Sequence, residues 1–348
     1  MRVAIDILPL STEHSRRGIG WYVQHLTDEL SKRAKEIELV PFTLEEKLPK
    51  ADLYHYPYFD IFFNTLPRKN IKKTILTIHD LTPIVFMDKF NPGIKGKIAW
   101  FFQKQKARKA AAIITDSESS KRDIVKYVGC REDHVFVVYL AHSRKFQPVT
   151  DKKVHKAMLS KYGLPETYIL YVGDINYNKN ILELLKAFVL YRSTDTSAHL
   201  ALVGESFLGN SAEAYEIDLF IQENNLKDSI NRLGFVPTED LATIYSQALV
   251  YVQPSLYEGF GLPVLEALSC GCPVISSNTG ALPEVGGESA VYVHPDHESI
   301  ASAIQEVKKW NKEMRLSKIK QGREWIKRFS WEKTADETIE VYKAVFKP

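Results

Sequence analysis

Residues 254–267 read Pro-Ser-Leu-Tyr-Glu-Gly-Phe-Gly-Leu-Pro-Val-Leu-Glu-Ala, and this segment is the most informative about the fold. An apolar run at Leu249–Val252 precedes it and predicts a strand, while Pro263 suits the first turn of a following helix. Gly259 and Gly261 let the backbone take positive φ values and approach a ligand closely. The free N–H groups and the dipole of a helix N-terminus attract a diphosphate. The stretch therefore predicts a strand, a phosphate-binding loop and a helix, as in a Rossmann-like domain.

Two carboxylates accompany the predicted anion site, Glu258 in the loop and Glu266 about one turn into the helix. Carboxylates repel phosphates, so these two side chains are better suited to accept hydrogen bonds from the hydroxyl groups of a sugar and a ribose. Taken alone, Glu266 could serve only the helix dipole and Glu258 could be an exposed loop residue. Their combination with the glycines, Pro263 and the strand favours the binding interpretation.

The same alternation of apolar strands and amphipathic helices runs through the whole chain. The predicted strands of the first half are Val3–Ile7, Glu38–Phe42, Leu53–Tyr56, Thr74–Ile78, Ala112–Thr115 and Val135–Tyr139. Those of the second half are Tyr168–Val172, His199–Val203, Ile230–Leu233, Leu249–Val252, Pro273–Ser276 and Ala290–Val293. The predicted helices include Tyr22–Lys35, Ile94–Lys109, Ile181–Tyr191, Ala212–Gln222, Glu239–Gln247 and Pro263–Ser269. We therefore expect an α/β protein with two Rossmann-like, doubly wound domains that face a central cleft.

Length and composition agree with two globular domains. The chain has 348 residues, which exceeds the size that a single hydrophobic core usually reaches. Because 45% of the residues are apolar and 26% are charged, the composition is that of a folded globular protein and excludes disorder. We expect domains at 1–150 and 151–328, joined by a polar linker at Phe146–Leu164, and a C-terminal helix at 329–348 that packs back on the first domain. No apolar run predicts a membrane-spanning helix, the N-terminus does not resemble a signal peptide, and the three cysteines are an odd number. These features predict a cytoplasmic protein.

The spacing of Glu258 and Glu266 resembles the signature of the family 4 retaining glycosyltransferases, which have the GT-B fold. The resemblance spans nearly the whole chain, and its C-terminal motifs are the more specific. The second half carries Tyr171-Val172-Gly173, Asn178-Lys179-Asn180, Leu233-Gly234-Phe235-Val236, Gly271-Cys272-Pro273-Val274-Ile275-Ser276, Gly280-Ala281-Leu282-Pro283-Glu284-Val285 and Phe329-Ser330-Trp331. The first half carries Gly18-Ile19-Gly20, His79-Asp80-Leu81-Thr82-Pro83 and Asp116-Ser117-Glu118-Ser119.

The resemblance implies an acceptor-binding first domain, a nucleotide-sugar-binding second domain and a role for each matching residue. Glu258 would contact hydroxyl groups of the donor sugar, Lys179 the phosphates, and His79 the sugar region; these are the expected catalytic residues. The expected donor-binding residues are Gly18, Gly20, Gly173, Phe235, Val236, Glu258, Gly259, Phe260, Gly261, Leu262 and Glu266. Among them Glu266 would bind the ribose, and Phe235 and Val236 would frame the base.

One position departs from the family pattern. The family often has an arginine after the glycine of the Tyr-Val-Gly motif, but this chain has Asp174. The second phosphate-binding cation is therefore unassigned, with Arg17 as a candidate.

The implied reaction moves a hexose from a nucleotide diphosphate to an acceptor hydroxyl with retained anomeric configuration. The chain contains no Asp-x-Asp pair, so we expect neither a metal nor another cofactor. The motifs most resemble those of bacterial mannosyltransferases of surface-polysaccharide assembly, which favours GDP-mannose over UDP-sugars and a glycan or lipid-linked acceptor. Two alternatives remain: a nucleotide-sugar epimerase or phosphorylase, and a catalytically silent nucleotide-binding protein on the same fold.

The basic residues are concentrated in the first half. Residues 1–150 contain 25 Lys+Arg and 17 Asp+Glu, a net charge of +8, and the remainder has 21 against 26, or −5. Six basic residues and no acidic ones lie between Gly93 and Lys109, around Trp100, Phe101 and Phe102. The segment Lys95–Lys109 therefore predicts a helix on the anionic inner face of a membrane, unless its aromatic residues enter the core and its lysines are merely solvated. No recognised motif points to nucleic acid.

Overall fold

The computed structural model describes residues 1–11, 18–33, 35–43, 48–63, 65–66, 71–90 and 92–346. The chain divides into two compact units, the first made of Met1–Ala141 and Phe329–Pro348 and the second of His142–Arg328. Within the described residues each unit contains one six-stranded sheet whose strands pair in parallel. The sequence-based boundary after residue 150 lies further along the chain than the boundary between these units.

The first unit has the strand order β2-β1-β3-β4-β5-β6. Its strands are β1 (Arg2–Asp6), β2 (Glu38–Phe42), β3 (Leu53–Tyr56), β4 (Thr74–Thr77), β5 (Ala112–Thr115) and β6 (Val135–Val137). Its helices are α1 (Gly18–Ser31), α2 (Thr82–Val85), α3 (Met87–Phe90), α4 (Gly93–Ala107), α5 (Glu118–Asp123), which continues into a π-helical turn (Ile124–Val128), and α14 (Trp331–Val345). Strands β3, β4 and β5 are buried throughout, as expected of parallel strands covered on both faces.

The second unit has the order β12-β11-β10-β7-β8-β9. Its strands are β7 (Ile169–Val172), β8 (Leu200–Val203), β9 (Ile230–Gly234), β10 (Val250–Gln253), β11 (Val274–Ser277) and β12 (Val291–Val293). Its helices are α6 (Lys152–Tyr162), α7 (Ile181–Arg192), α8 (Ala212–Glu223), α9 (Thr238–Gln247), α10 (Leu262–Ser269), α11 (Leu282–Gly286), α12 (His297–Lys308) and α13 (Lys312–Trp325). The prediction of two Rossmann-like parallel sheets is confirmed.

The prediction of a linker at Phe146–Leu164 is wrong for most of that segment, because it forms helix α6. The Asp151 side chain caps the helix by accepting a hydrogen bond of 2.7 Å from the Lys153 N–H, and Gly163 ends it with φ of +62°. Helix α6 buries none of its residues, although Val154, Met158 and Tyr162 recur at four-residue spacing along one face. Tyr162 and Lys161 attach it to Asp240 of α9, each at 2.6 Å.

The C-terminal helix α14 packs on the first unit. Arg33 at the end of α1 pairs with Asp336 at 2.5 Å and donates to the Glu332 carbonyl at 2.9 Å. In the core, the Tyr342 hydroxyl lies 2.7 Å from Nδ1 of His55 on β3. Both the surface and the centre of α14 are therefore tied to this unit.

Candidate active site

The loop between β10 and α10 holds the predicted glycine motif in the second unit. Gly261 begins α10 with φ of +103°, and a Cβ atom there would lie 2.8 Å from the Leu282 side chain. Gly280 approaches the motif from the loop after β11, where a Cβ atom would lie 2.6 Å from the Glu258 carbonyl oxygen. The Ala281 N–H donates to that same oxygen at 3.0 Å. These two glycines allow close packing that fixes the backbone of Glu258.

Glu258 and Lys179, which the sequence predicts as catalytic partners, form an ion pair. The Lys179 Nζ atom lies 2.8 Å from Oε1 and 2.9 Å from Oε2 of Glu258, and the glutamate is only 8% exposed. Oε1 also accepts hydrogen bonds from Ser255 at 2.6 Å and Gln253 at 3.0 Å. Oε2 accepts the hydrogen bond from Lys179. Oε1 is therefore saturated, and Oε2 is the atom best able to accept a further bond.

The segment that carries Lys179 is held against the motif loop by its two asparagines. It forms a 3₁₀ turn (Tyr177–Lys179) after which Asn180 takes a left-handed conformation. Asn178 donates to the Tyr257 carbonyl at 3.0 Å, and Asn180 donates to the Pro254 carbonyl at 3.0 Å. Because β7 and β10 are parallel neighbours, their carboxyl ends meet at one edge and bring these segments together.

Gln253 and Ser255 are site residues that the sequence analysis missed. Both are buried, and the Tyr251 hydroxyl donates to the Gln253 side chain, which in turn donates to Glu258. Burial, followed by the nearby Tyr171, Glu258 and Glu266, raises the pKa of Tyr251, so this hydroxyl stays protonated as a donor. Polar residues directly after an apolar strand and before the motif glutamate were the available signal.

Glu266 lies on α10 in a different environment. Its side chain keeps some accessible surface, yet the surrounding protein removes enough solvent to raise the pKa of its carboxyl group to about 7. The Tyr245 hydroxyl donates to Oε2 at 3.1 Å and partly opposes that rise. The carboxyl group thus has one protein donor and remaining capacity to accept, as a ligand hydroxyl requires.

The other predicted donor-binding residues of this unit have varied environments. Gly173 has φ of +150°, and its carbonyl oxygen would lie 2.1 Å from a Cβ atom on Gly204, so the two loops pack backbone to backbone. Phe235 is exposed while Val236 is buried. Gly259, Phe260 and Gly261 are buried in the motif loop, and Leu262 opens α10 with partial exposure.

Asp174, which replaces the family arginine, adds no cation to the site. Its carboxylate accepts a hydrogen bond of 3.3 Å from Ser206, and its carbonyl accepts one of 2.7 Å from Tyr171. Arg17, the suggested substitute, lies outside the described residues. Lys179 is the site cation that the structure places beside the motif loop.

His79 lies in the first unit, just beyond β4, and pairs with Asp116, just beyond β5. Its Nδ1 atom is 2.7 Å from the Asp116 carboxylate. Burial lowers the pKa of His79, but the charges of Asp116 and Asp80 and hydrogen bonds to Asp116 and the Pro57 backbone outweigh it, so the pKa is raised. Sequence analysis gave Asp116 no role, although residues that follow neighbouring parallel strands meet at one edge of the sheet.

Gly18 and Gly20, two of the expected donor-binding residues, lie in the first turn of α1. A Cβ atom on Gly18 would meet nothing within 4 Å, so no protein contact requires glycine there. The helix connects to His79 through Tyr22, whose ring meets the imidazole edge-on with centroids 4.7 Å apart. The Tyr22 hydroxyl is anchored by Thr77 at 3.0 Å.

No cluster of three or more His, Cys, Asp or Glu side chains in the described ranges has an arrangement that could hold a metal ion. The charges at the motif loop come instead from Lys179 and the two glutamates. The arrangement can bind hydroxyl groups through carboxylates and present one ammonium group to an anion.

Comparisons with known proteins identify a family for this chain. Residues 158–325 match the family profile "Glycosyl transferases group 1", and residues 39–141 match "Glycosyltransferase Family 4". The chain is 31% identical over 298 residues to the O-antigen chain mannosyltransferase B of Escherichia coli, covering 84% of this chain and 74% of that protein. It is 27% identical over 290 residues to the serotype-specific mannosyltransferase WbdA of Escherichia coli, where the match covers 81% of this chain but 35% of the relative.

Solved structures show the same fold at low sequence identity. Sucrose-phosphate synthase from Thermosynechococcus elongatus superposes with a TM-score of 0.76 at 22% identity, covering 99% of both chains. The Anabaena protein HepE, solved with UDP and glucose, gives a TM-score of 0.75 at 14% identity, also with 99% of both chains covered. Both likenesses concern the fold of the polypeptide.

Proposed function

Since the chain belongs to the family 4 glycosyltransferases, which have the GT-B fold, we propose that it transfers mannose from GDP-mannose to an acceptor hydroxyl group. The acceptor is a glycan or a lipid-linked molecule. The transfer retains the anomeric configuration of the mannose and requires no metal. The observation that carries the proposal is the buried ion pair of Lys179 and Glu258 beside the glycine motif. This pair places a carboxylate suited to a sugar next to a cation suited to a phosphate, at the carboxyl-terminal edge of the sheet.

The hydrogen bonds of Glu258 support a binding role for this residue rather than a nucleophilic one. Its Oε1 atom accepts from Lys179, Gln253 and Ser255, which stabilises the negative charge and lowers its nucleophilicity. Oε2 is left to accept from a sugar hydroxyl. When the donor is bound, Lys179 would move its charge toward the phosphates or share it between them and Glu258.

Retention then follows from a same-face reaction. The bond between the sugar C1 and the diphosphate oxygen breaks, the acceptor oxygen bonds to C1 on that face, and the acceptor proton passes to the departing phosphate oxygen. Lys179 stabilises the charge that develops on the diphosphate, together with backbone N–H groups of the motif loop. Glu266 would orient the ribose and His79 the sugar. No step in this scheme requires a metal or another cofactor.

The choice of mannose rests on the relatives. Those similar to this chain include two O-antigen chain mannosyltransferases, one of them RfbU of Salmonella typhimurium at 28% identity over 238 residues. GDP-mannose is therefore preferred to UDP-sugars as the donor, and a growing surface polysaccharide is the preferred acceptor.

A lipid-linked acceptor would place the enzyme at the inner face of the membrane, with the basic segment Lys95–Lys109 against anionic lipid. No helix in the described ranges has the length and apolar character to cross a bilayer. The association we propose is therefore peripheral.

The test is incorporation of labelled mannose from GDP-mannose into lipid-linked oligosaccharide, comparing wild type with Lys179→Met and Glu258→Gln. The surface pair Lys145–Glu239, 2.7 Å apart in the same unit, supplies the matched controls Lys145→Met and Glu239→Gln. The proposal expects loss of transfer in the first two variants and wild-type transfer in the controls. Equal activity in all four variants would overturn the proposal. Release of an epimer of the donor's sugar, without transfer to the acceptor, would favour an epimerase.

A further inference from the structure

Helix α4 has its apolar side chains on the outside. The buried positions of this helix are Gly96, Gln103 and Ala107, whereas the largest apolar residues face solvent. Ile94 is 80% exposed and Ile98 53%, and Phe101 and Phe102 are 58% and 56% exposed. Spacings of three and four residues place these side chains on one face of the helix. This is the reverse of the pattern of a helix that packs its apolar face on a core.

Contacts under the helix show that this orientation is built in. The buried Gln103 side chain donates to the carbonyls of Asp60 and Phe63, at 3.1 and 2.6 Å, and to the Thr65 hydroxyl at 3.0 Å. Because Gln103 bonds its backbone, Phe63 lies beside the helix, and its own side chain is 72% exposed. We name the surface formed by Phe63, Ile94, Ile98, Phe101 and Phe102 the apolar stripe.

The aromatic run 100–102 is divided by this orientation. Trp100 packs against the core of the first unit, with Lys104 Nζ 5.9 Å from its ring, while Phe101 and Phe102 contact each other edge-on outside. Trp100 therefore meets the expectation of core packing, whereas Phe101 and Phe102 do not. Four large apolar side chains on one exposed helix face, joined by Phe63, exceed the scattered exposure that needs no explanation.

Every charged residue of α4 itself is basic. Lys95 and Lys97 are exposed on either side of Gly96, Lys109 is exposed beyond the helix end, and no acidic residue occurs from 89 to 115. A symmetric contact between two copies through this face would bring these like charges together, which opposes a dimer. An anionic bilayer satisfies both features, since its headgroups pair with the lysines and its acyl region accepts the apolar side chains.

We infer that α4 lies in the plane of an anionic phospholipid bilayer and inserts the apolar stripe below the headgroups, with Lys95, Lys97 and Lys109 at headgroup level. Insertion adds a hydrophobic component that survives salt to the electrostatic attraction of the lysines. The inference rests on the proposed function, which puts the acceptor at a membrane, but vesicle binding can be measured without donor or acceptor.

The main experiment is co-sedimentation of the full chain with vesicles of phosphatidylcholine and phosphatidylglycerol, at low and high salt. Phe101→Ser/Phe102→Ser should weaken vesicle binding on the order of tenfold or more, because two apolar side chains no longer leave water. Tyr215→Ser/Leu219→Ser is the matched control, since both residues are exposed on α8, which carries acidic and no basic side chains. This control should bind as wild type does. Lys95→Glu/Lys97→Glu should lose the salt-sensitive part of the binding.

A second measurement reports insertion directly. Phe101→Trp should gain fluorescence that brominated acyl chains quench, whereas the added fluorescence of Tyr215→Trp should not be quenched. Vesicle binding that high salt abolishes and that the serine pair leaves unchanged would overturn insertion. A wild-type protein that does not bind the vesicles would also overturn insertion. This holds for a monomer and equally for a protein whose self-association the Phe101→Ser/Phe102→Ser variant abolishes.

Two controls separate a change in vesicle binding from a folding defect and from an error in the proposed donor. The substituted residues are exposed, so thermal midpoints should stay near the wild-type value. Each variant should also retain stabilisation by GDP. Failure of GDP to stabilise even the wild type would count against the proposed donor, while the vesicle results would still decide insertion.

Discussion

Simultaneous replacement of Lys179 and Glu258 should cost less stability than the two single replacements together, without restoring activity. Two unit charges at the observed 2.8 Å attract each other by about 6 kcal/mol at an effective dielectric constant of about 20. Desolvation offsets much of this, since the Lys179 and Glu258 side chains are only 22% and 11% exposed. Removing either partner leaves the other charge poorly solvated, so we expect each single variant, Lys179→Met or Glu258→Gln, to lose about 1–3 kcal/mol of unfolding free energy.

The double variant Lys179→Met/Glu258→Gln should then be more stable than the sum of the single losses predicts, by a coupling energy of about 1–3 kcal/mol. Urea unfolding of the four proteins measures this coupling. The same cycle on the exposed pair Lys145 and Glu239 should give at most about 1 kcal/mol.

Mannosyl transfer should behave differently in the same cycle. Lys179→Met removes a group that stabilises charge on the leaving diphosphate, which corresponds to about 2–4 kcal/mol of transition-state stabilisation. The double variant should be at least as inactive as Lys179→Met. Additive losses of stability, or recovery of transfer in the double variant, would refute the roles given to this pair.

Three further outcomes follow from the site. Because burial raises the pKa of Glu266 to about 7, the native state binds more protons than the unfolded state between about pH 4.5 and 7, so wild-type stability should fall as pH rises through that range. Glu266→Gln should flatten this part of the urea-unfolding profile and weaken GDP binding in calorimetry; an unchanged profile would contradict the buried carboxyl. GDP should raise the thermal midpoint equally with and without chelator, corresponding to about 2.7 kcal/mol at a hundredfold excess over Kd, and strict dependence on Mn²⁺ or Mg²⁺ would exclude the metal-free scheme. Asp116→Asn should lower the pKa of His79, because it removes the carboxylate charge that raises it, and NMR titration of the imidazole that shows no such change would refute the pairing.

The fold could be predicted because parallel strands buried on both faces are continuous apolar runs. β4 and β10, for example, fall within the predicted segments Thr74–Ile78 and Leu249–Val252 or within a residue of them. Helix α6 was recognisable from Val154, Met158 and Tyr162 at four-residue spacing and from Asp151 and Gly163 at its ends, but the polar residues between them suggested a linker. The family resemblance suggested a turn at Gly18 and Gly20, yet both residues lie in α1.

For the candidate site, the sequence identified the groups but could not give their contacts. Glu258 and Lys179 are 79 positions apart, and only the parallel pairing of β7 with β10 brings their segments together. The hydrogen bonds of Gln253 and Ser255 depend on side-chain positions that no spacing rule provides. The outward direction of Phe101 and Phe102 was equally undetermined, because consecutive aromatic residues cannot all lie on one helix face.

The anomeric configuration of the product is the direct test of retaining, metal-independent mannosyl transfer. Wild-type protein would be incubated with GDP-mannose and a lipid-linked acceptor in the presence of chelator, and the new linkage would be assigned from its one-bond C1–H1 coupling by NMR. We expect wild-type protein to form an α-mannoside, which retains the configuration of the donor, and Lys179→Met to form no such product. A β-mannoside, or transfer only from a UDP-sugar, would contradict it.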